Sequence, residues 1–201
     1  MNGARRGFAR ASLAAALVLV ILPAMRPASG ADLEAIKKKA EVCAACHGPD
    51  GNSTNPVVPS LAGQPKQFIT TQLVMFREGI RKDAAMSPQA ANLSNAEIDD
   101  FGTYFSASKL IAAGQGSVPD KAVSGRGLVE RFKCVQCHGP ALLGQQHIPR
   151  LAGQQAEYLR VQLRGFKAST RFDMDGNMTS AAQPLTAADV EALASYLSTL
   201  R

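Results

Sequence analysis

Two pentapeptides each place a pair of thiols three residues apart with an imidazole directly after the second. They are Cys43-Ala44-Ala45-Cys46-His47 and Cys134-Val135-Gln136-Cys137-His138. Thiols three residues apart on one helical turn can each add to a vinyl group of one porphyrin, and the histidine that follows reaches the iron. A thioredoxin-type redox pair would sit beside a βαβ pattern, which is absent. A zinc ribbon sets its two CxxC units roughly 15–20 residues apart; here they are 91 apart. Disulfides suit an exported chain, but both pairs stand in CxxCH with no cysteine left over. The motifs predict two haem c groups, held by Cys43, Cys46, Cys134 and Cys137, with His47 and His138 as axial ligands.

The same interval recurs along the chain. Pro59-Ser60-Leu61-Ala62-Gly63-Gln64 returns as Pro149-Arg150-Leu151-Ala152-Gly153-Gln154, 90 residues on. Gln72, Leu73 and Phe76 return as Gln162, Leu163 and Phe166 at the same interval. Met86, Leu93 and Tyr104 return as Met178, Leu185 and Tyr196, now 92 apart. The drift of two places one short insertion near residues 172–177. Landmarks held in register like this identify a tandem duplication.

The register supplies the rest of each haem pocket. Pro59 and Pro149 follow their histidines by 12 and 11 residues. A proline carbonyl there can accept a hydrogen bond from the far nitrogen of the ligand imidazole, fixing its orientation and basicity. Only one further histidine exists, His147, so two bis-histidine haems are impossible. Met75 lies in an apolar helical pattern and matches Gly165, which marks it as core. Met86 and Met178 occupy matched polar loops and are the expected sixth ligands, with Met174 as the competitor for the second haem. Lysine ligation or an open position is the remaining alternative. A thioether ligand raises the reduction potential and fills the last axial position, which points to outer-sphere electron transfer. Arg81 and Arg171 are a further matched pair, placed either to meet haem propionates or to be solvated loop residues. His147 has no partner in the first copy and reads as a surface residue.

The elements that must position these residues read as helices. Asp32 is placed to cap a helix running into Cys43. Residues 66–78 carry Phe68, Ile69, Leu73 and Phe76 at helical spacing. Ser94-Asn95-Ala96-Glu97 is a capping box, followed by Ile98, Phe101, Tyr104 and Phe105 on one face. Thr186 caps the equivalent helix, with Val190, Leu193, Tyr196 and Leu197 as its face. No stretch alternates as a strand would. The expected fold is mostly α, two tandem domains each packed around one covalently attached haem.

Residues 1–30 read as a secretory signal. Arg5, Arg6 and Arg10 precede an apolar run from Ala11 to Leu22, and Ala28-Ser29-Gly30 offers small residues for cleavage. The run is shorter than the roughly 20 residues a membrane-spanning helix needs. Arg5-Arg6 hints at a twin-arginine signal, but haem attachment requires an unfolded chain after export. The expected organisation is residues 31–108 as the first domain, 109–120 as a linker and 121–201 as the second. Of the 22 basic residues four lie in the leader, leaving 18 against 16 acidic ones, a net of +2. The basic character of the full chain is therefore no argument for a nucleic-acid partner. With three Tyr, eight Phe and no Trp, two domains this small are marginal on protein side chains alone, and a buried macrocycle removes that difficulty.

CxxCHG, then Pro-x-Leu-Ala-Gly-Gln, a methionine loop, a Leu-Ser/Thr cap and a Tyr-bearing last helix, twice over, resembles the cytochrome c4 family of di-haem class I cytochromes c. The resemblance spans residues 32–201. It implies two tandem class I cytochrome c domains and a periplasmic electron carrier whose haems face each other across a domain interface. It also implies redox partners of two kinds, quinol-oxidising complexes as donors and a terminal oxidase or reductase as acceptor, and peripheral membrane association in some members. It supports His47 with Met86 and His138 with Met178 as ligand pairs. Copy one departs from the pattern, lacking the Gly-x-x-x-x-Phe seen at Gly127 to Phe132, so the approach of its first and last helices stays open. A di-haem subunit of a dehydrogenase, such as a flavin-containing sulfide dehydrogenase, shares this plan. A peroxidase-type haem enzyme would instead need one open iron.

Overall fold

The computed structural model describes residues 30–111 and 120–200. Apart from Gly30, the expected leader lies outside the described residues, as does most of the expected linker. Each copy contributes the same short series of helices. Copy one runs α1 (Gly30–His47), a 3-10 turn (Pro49–Gly51), α2 (Lys66–Arg77), α3 (Met86–Ala90) and α4 (Asn95–Ala107). Copy two runs α5 (Asp120–Arg131), α6 (Val135–His138), α7 (Ala156–Lys167), α8 (Asn177–Ala182) and α9 (Ala187–Thr199). Among the described residues the only β-type pairing is an isolated bridge between Gln145 and Ile148. No helix among them is long and apolar enough to cross a membrane.

The last helix of each copy starts where its capping signal stands. Ser94 and Glu97 exchange side-chain and main-chain hydrogen bonds at the start of α4, and Thr186 and Asp189 do the same at α9. Each box satisfies two otherwise orphaned N–H groups. Behind the caps lie two separate apolar clusters. Ala40, Ile69, Phe101 and Phe105 form the first. The second is larger and gathers Val129, Leu142, Leu159, Phe166, Leu185, Val190, Leu193 and Leu197 among others.

Three local expectations are corrected. Helix α1 already begins at Gly30, so Asp32 lies within its first turn rather than at its cap. The methionine segments are short helices, α3 and α8, rather than loops. The close approach of first and last helices in copy two occurs at Gly125, not Gly127. A Cβ at Gly125 would stand 2.4 Å from both Ala192 O and Tyr196 Cβ, whereas one at Gly127 would meet nothing within 4 Å. The shift has a local cause. Helix α5 breaks before the CxxCH motif, with Lys133 at φ 55°, while α1 runs unbroken through Cys43 to His47.

Main-chain bonds repeat in register. Leu61 and Ala62 both donate to Gly51 O, and Leu151 and Ala152 both donate to Leu142 O. Gly63 donates to Phe105 O at 2.8 Å and Gly153 to Leu197 O at 2.9 Å. These bonds tie each Pro-x-Leu-Ala-Gly-Gln loop to its own last helix.

Candidate haem sites

Among the four cysteines, Cys43 and Cys134 are half-buried and Cys46 and Cys137 exposed. Burial pushes the Cys43 and Cys134 thiols up from their ordinary values. His47 and His138 close the two motifs with only 6% and 5% of their surface exposed. Their Nδ1 atoms lie 2.8 Å from Pro59 O and Pro149 O respectively. A carbonyl oxygen only accepts, so Nδ1 must carry the proton in both rings. The Nε2 lone pair is then left free, and among the described residues it has no protein partner. Burial lowers both imidazole pKa values, and the proline carbonyls oppose that only in part. Both rings are therefore neutral near pH 7, the form that binds a metal.

Met86 and Met178 are each half-buried, and Met178 packs against the second apolar cluster. Met174 is 71% exposed. Met75 is fully buried in copy one's interior. An aspartate anchors each methionine segment. Asp83 Oδ1 accepts the N–H groups of Ala85 and Met86, both at 2.9 Å. Asp173 accepts Met178 N–H at 2.7 Å, and both the N–H and the hydroxyl of Thr179. The two aspartates stand 90 apart, in the repeat register, and sequence reasoning overlooked them. They also narrow the insertion to residues 174–177, because Met86 follows its aspartate by three residues and Met178 by five. His147 reaches into the same region, with Nε2 3.6 Å from Asp175.

Arg81 and Arg171 are not solvated loop residues. Arg81 donates to Gln72 in its own copy at 2.5 Å and to Gln162 and Tyr158 of the other at 3.1 and 3.3 Å. Arg171 donates to Gln162 at 2.5 Å. The guanidiniums lie over Phe76 and Phe166, 4.5 and 4.4 Å from the ring centres. Burial lowers the Arg171 pKa to about 10, with the nearby Tyr158 opposing it. Burial also raises the Tyr158 phenol, but the two guanidiniums outweigh it and hold the group below its usual range. Among the described residues, Arg171 Nε and Arg150 Nε are buried without a hydrogen-bond partner. Buried cations with unspent donors suit a carboxylate-bearing ligand. Taken with paired thiols, a neutral buried imidazole and a half-buried thioether in each copy, the residues fit a covalently held haem in both.

The two copies meet through their Pro-x-Leu-Ala-Gly-Gln loops. The Gln64 side chain donates to Arg150 O at 3.0 Å and accepts Arg150 N–H at 2.9 Å. The Gln154 side chain donates to Ser60 O at 2.9 Å and accepts Ser60 N–H at 2.8 Å. All four residues are at most 3% exposed. Tyr158 N–H donates to Pro56 O, Gln155 Nε2 to Ser53 O and Arg150 to Ala62 O, extending the contact.

Known proteins share this plan. The cytochrome c family model matches residues 122–201, and the model described as cytochrome C oxidase, cbb3-type, subunit III matches residues 26–104. Cytochrome c4 of Pseudomonas aeruginosa is 34% identical over 197 residues, covering 92% of this chain and 96% of that protein. A thiosulfate dehydrogenase electron acceptor of Thiomonas intermedia is also 34% identical, covering 90% of this chain and 88% of the relative. The crystal structure of reduced cytochrome c4 from Pseudomonas stutzeri superposes with a TM-score of 0.78 at 33% identity, over 84% of this chain and 98% of the other. Thiosulfate dehydrogenase from Marichromatium purpuratum superposes with a TM-score of 0.76 at 31% identity, over 84% of this chain but 40% of that one.

Proposed function

Since this chain belongs to the di-haem cytochrome c4 family, electron-transfer proteins with two haem c groups, we propose that it is an exported one-electron carrier of a respiratory chain. It works in the periplasm after removal of residues 1–30. There it takes electrons from a quinol-oxidising complex and delivers them to a terminal oxidase or reductase. When bound, each haem supplies an iron that changes oxidation state by one electron. Cys43 and Cys46 hold the first haem, and Cys134 and Cys137 the second. His47 and Met86 are the axial ligands of one iron and His138 and Met178 of the other, with Met178 preferred over Met174 by its burial. Pro59 and Pro149 fix the tautomer and plane of the ligand imidazoles. Residues 31–108 and 121–201 are the two domains.

The observation that carries this reading is the pair of imidazole–proline bonds. Two buried histidines, each following a CxxC, offer a free Nε2 lone pair with the ring locked from behind. The test is a haem count followed by redox titration of the wild type, Met86→Ala and Met178→Ala. Two haems per chain are expected, and each substitution should lower one potential and produce a high-spin signal. If neither substitution does so, the ligand assignment is wrong.

A second reading has an observation of its own. Relatives described as thiosulfate dehydrogenase electron acceptors match most of this chain, and a thiosulfate dehydrogenase structure contains a similar fold. On that reading the donor is a sulfur-compound dehydrogenase. Reduction of the purified protein by such an enzyme, compared with reduction by a quinol-oxidising complex, separates the two.

A further inference from the structure

We infer that Gln64 and Gln154 are positioning residues for the haem of the other copy, so that each axial histidine is tuned across the domain interface. The inference rests on the ligand assignment above.

One peptide group does two jobs in each copy. The carbonyl of Pro59 and the N–H of Ser60 belong to the same peptide unit. The carbonyl accepts the Nδ1–H of His47 at 2.8 Å, and the N–H donates to Gln154 Oε1 at 2.8 Å. In copy two, Pro149 O accepts from His138 at 2.8 Å while Arg150 N–H donates to Gln64 Oε1 at 2.9 Å. The chain of contacts thus runs from the imidazole of one copy, through a peptide, to the glutamine of the other. The orientation of each glutamine amide is fixed, since its NH₂ donates to the carbonyl of the residue whose N–H its oxygen accepts.

Hydrogen bonds in series polarise one another, most strongly where water is excluded. A peptide N–H that donates to a glutamine oxygen places more negative charge on its own carbonyl. That strengthens the bond from Nδ1–H and raises the basicity of the imidazole. A more basic axial histidine favours ferric iron and lowers the potential. Gln64 therefore acts on His138, and Gln154 on His47. The two relays are unequal. Gln64 Oε1 serves Arg150 alone, because Pro65 has no N–H, whereas Gln154 Oε1 also accepts Gln155 N–H at 2.9 Å. The stronger effect is expected on the second haem.

The test uses the holoprotein with Gln64→Leu and Gln154→Leu. The two haems are followed separately by proton NMR of Met86 and Met178 during redox titration. Gln64→Leu should raise the potential of the haem held by His138, and Gln154→Leu that of the haem held by His47, each with a smaller effect on its own copy. The Nδ1 nitrogen resonance of the affected histidine should shift in the same crossed manner. Gln155→Ala, which removes a different interdomain bond to Ser53 O, should leave both potentials in place. If either leucine variant does not fold, Gln64→Met or Gln154→Met keeps the volume and leaves only a weak thioether acceptor. Shifts confined to the substituted copy, equal shifts in both, or no shift would overturn the inference. Failure of the ligand assignment is distinguishable, because wild type would then lack two shifted methionine methyl signals or would lose one on Met174→Leu rather than Met178→Leu.

Discussion

Asp173 takes the main-chain N–H of Met178 on one carboxylate oxygen, 2.7 Å away, and Thr179 on the other. Asp83 holds its methionine too, but takes the N–H groups of Ala85 and Met86 on a single oxygen. Neither is the N-cap residue, which is Ala85 in α3 and Gly176 in α8, but each aspartate supplies the acceptors at the start of a helix too short to stabilise itself. Replacing either by alanine should cost about 1 kcal/mol, the usual loss for a capping side chain. In the holoprotein, Asp173→Ala should make the charge-transfer band of methionine-bound ferric haem bleach at lower temperature for the second haem, and Asp83→Ala for the first. Thermal scans of that band check both.

Met174 and Met178 separate by burial. Met174→Leu should leave both potentials and the methionine band unchanged, because its side chain is 71% exposed. Met178→Leu should abolish the band for one haem. The opposite pattern would move the ligand to Met174.

The two glycines of helix α5 should respond in opposite directions. Gly125→Ala drives a Cβ into Ala192 O and Tyr196 Cβ and should destabilise copy two by about 1–3 kcal/mol, as overpacking does. Gly127→Ala meets nothing within 4 Å and should gain about 0.5–1 kcal/mol through helix propensity. Thermal unfolding of the two variants checks the contrast.

Tyr104 provides a pH test. Its hydroxyl donates to Asp50 at 2.5 Å, and burial together with that carboxylate pushes its pKa up to about 12. A phenol raised above its unfolded value stabilises the fold fully below about pH 10. That contribution is lost as pH climbs through the folded value. Ultraviolet titration should show Tyr104 ionising after Tyr158, which is held below its usual range, and Tyr104→Phe should remove the late phase. Stability of the variant should depend less on pH between 10 and 12 than that of the wild type.

Much of the site was legible because a duplicated chain checks itself. The histidines, prolines and methionines stand in register, and the capping boxes at Ser94 and Thr186 are local signals that the structure reproduces. Asp83 and Asp173 were equally readable from the 90-residue interval, but isolated acids in polar segments carry no signal until their N–H partners are known. Gly125 could not be separated from Gly127 by pattern. The irregular turn around Lys133 resets the helix register upstream of the motif, and only coordinates show which glycine then faces α9. The glutamines ending the two Pro-x-Leu-Ala-Gly-Gln segments were visible as a repeat. Their partners are main-chain groups of the opposite copy, which no side-chain pattern encodes.

Each copy presents the same loop to the other, and Gln64 reads position 150 as Gln154 reads position 60. Two-fold contacts between identical subunits are built this way. The chain has the architecture of a homodimer whose subunits were joined end to end. Joining keeps the halves together at an effective concentration on the order of millimolar, so pairing does not depend on how dilute the protein is. It also frees each half to diverge alone. Arg150 opposite Ser60, Tyr158 opposite Phe68 and Gln155 opposite Pro65 are differences that no symmetric dimer of one gene product could carry. They give the two redox centres different surroundings on an otherwise shared frame.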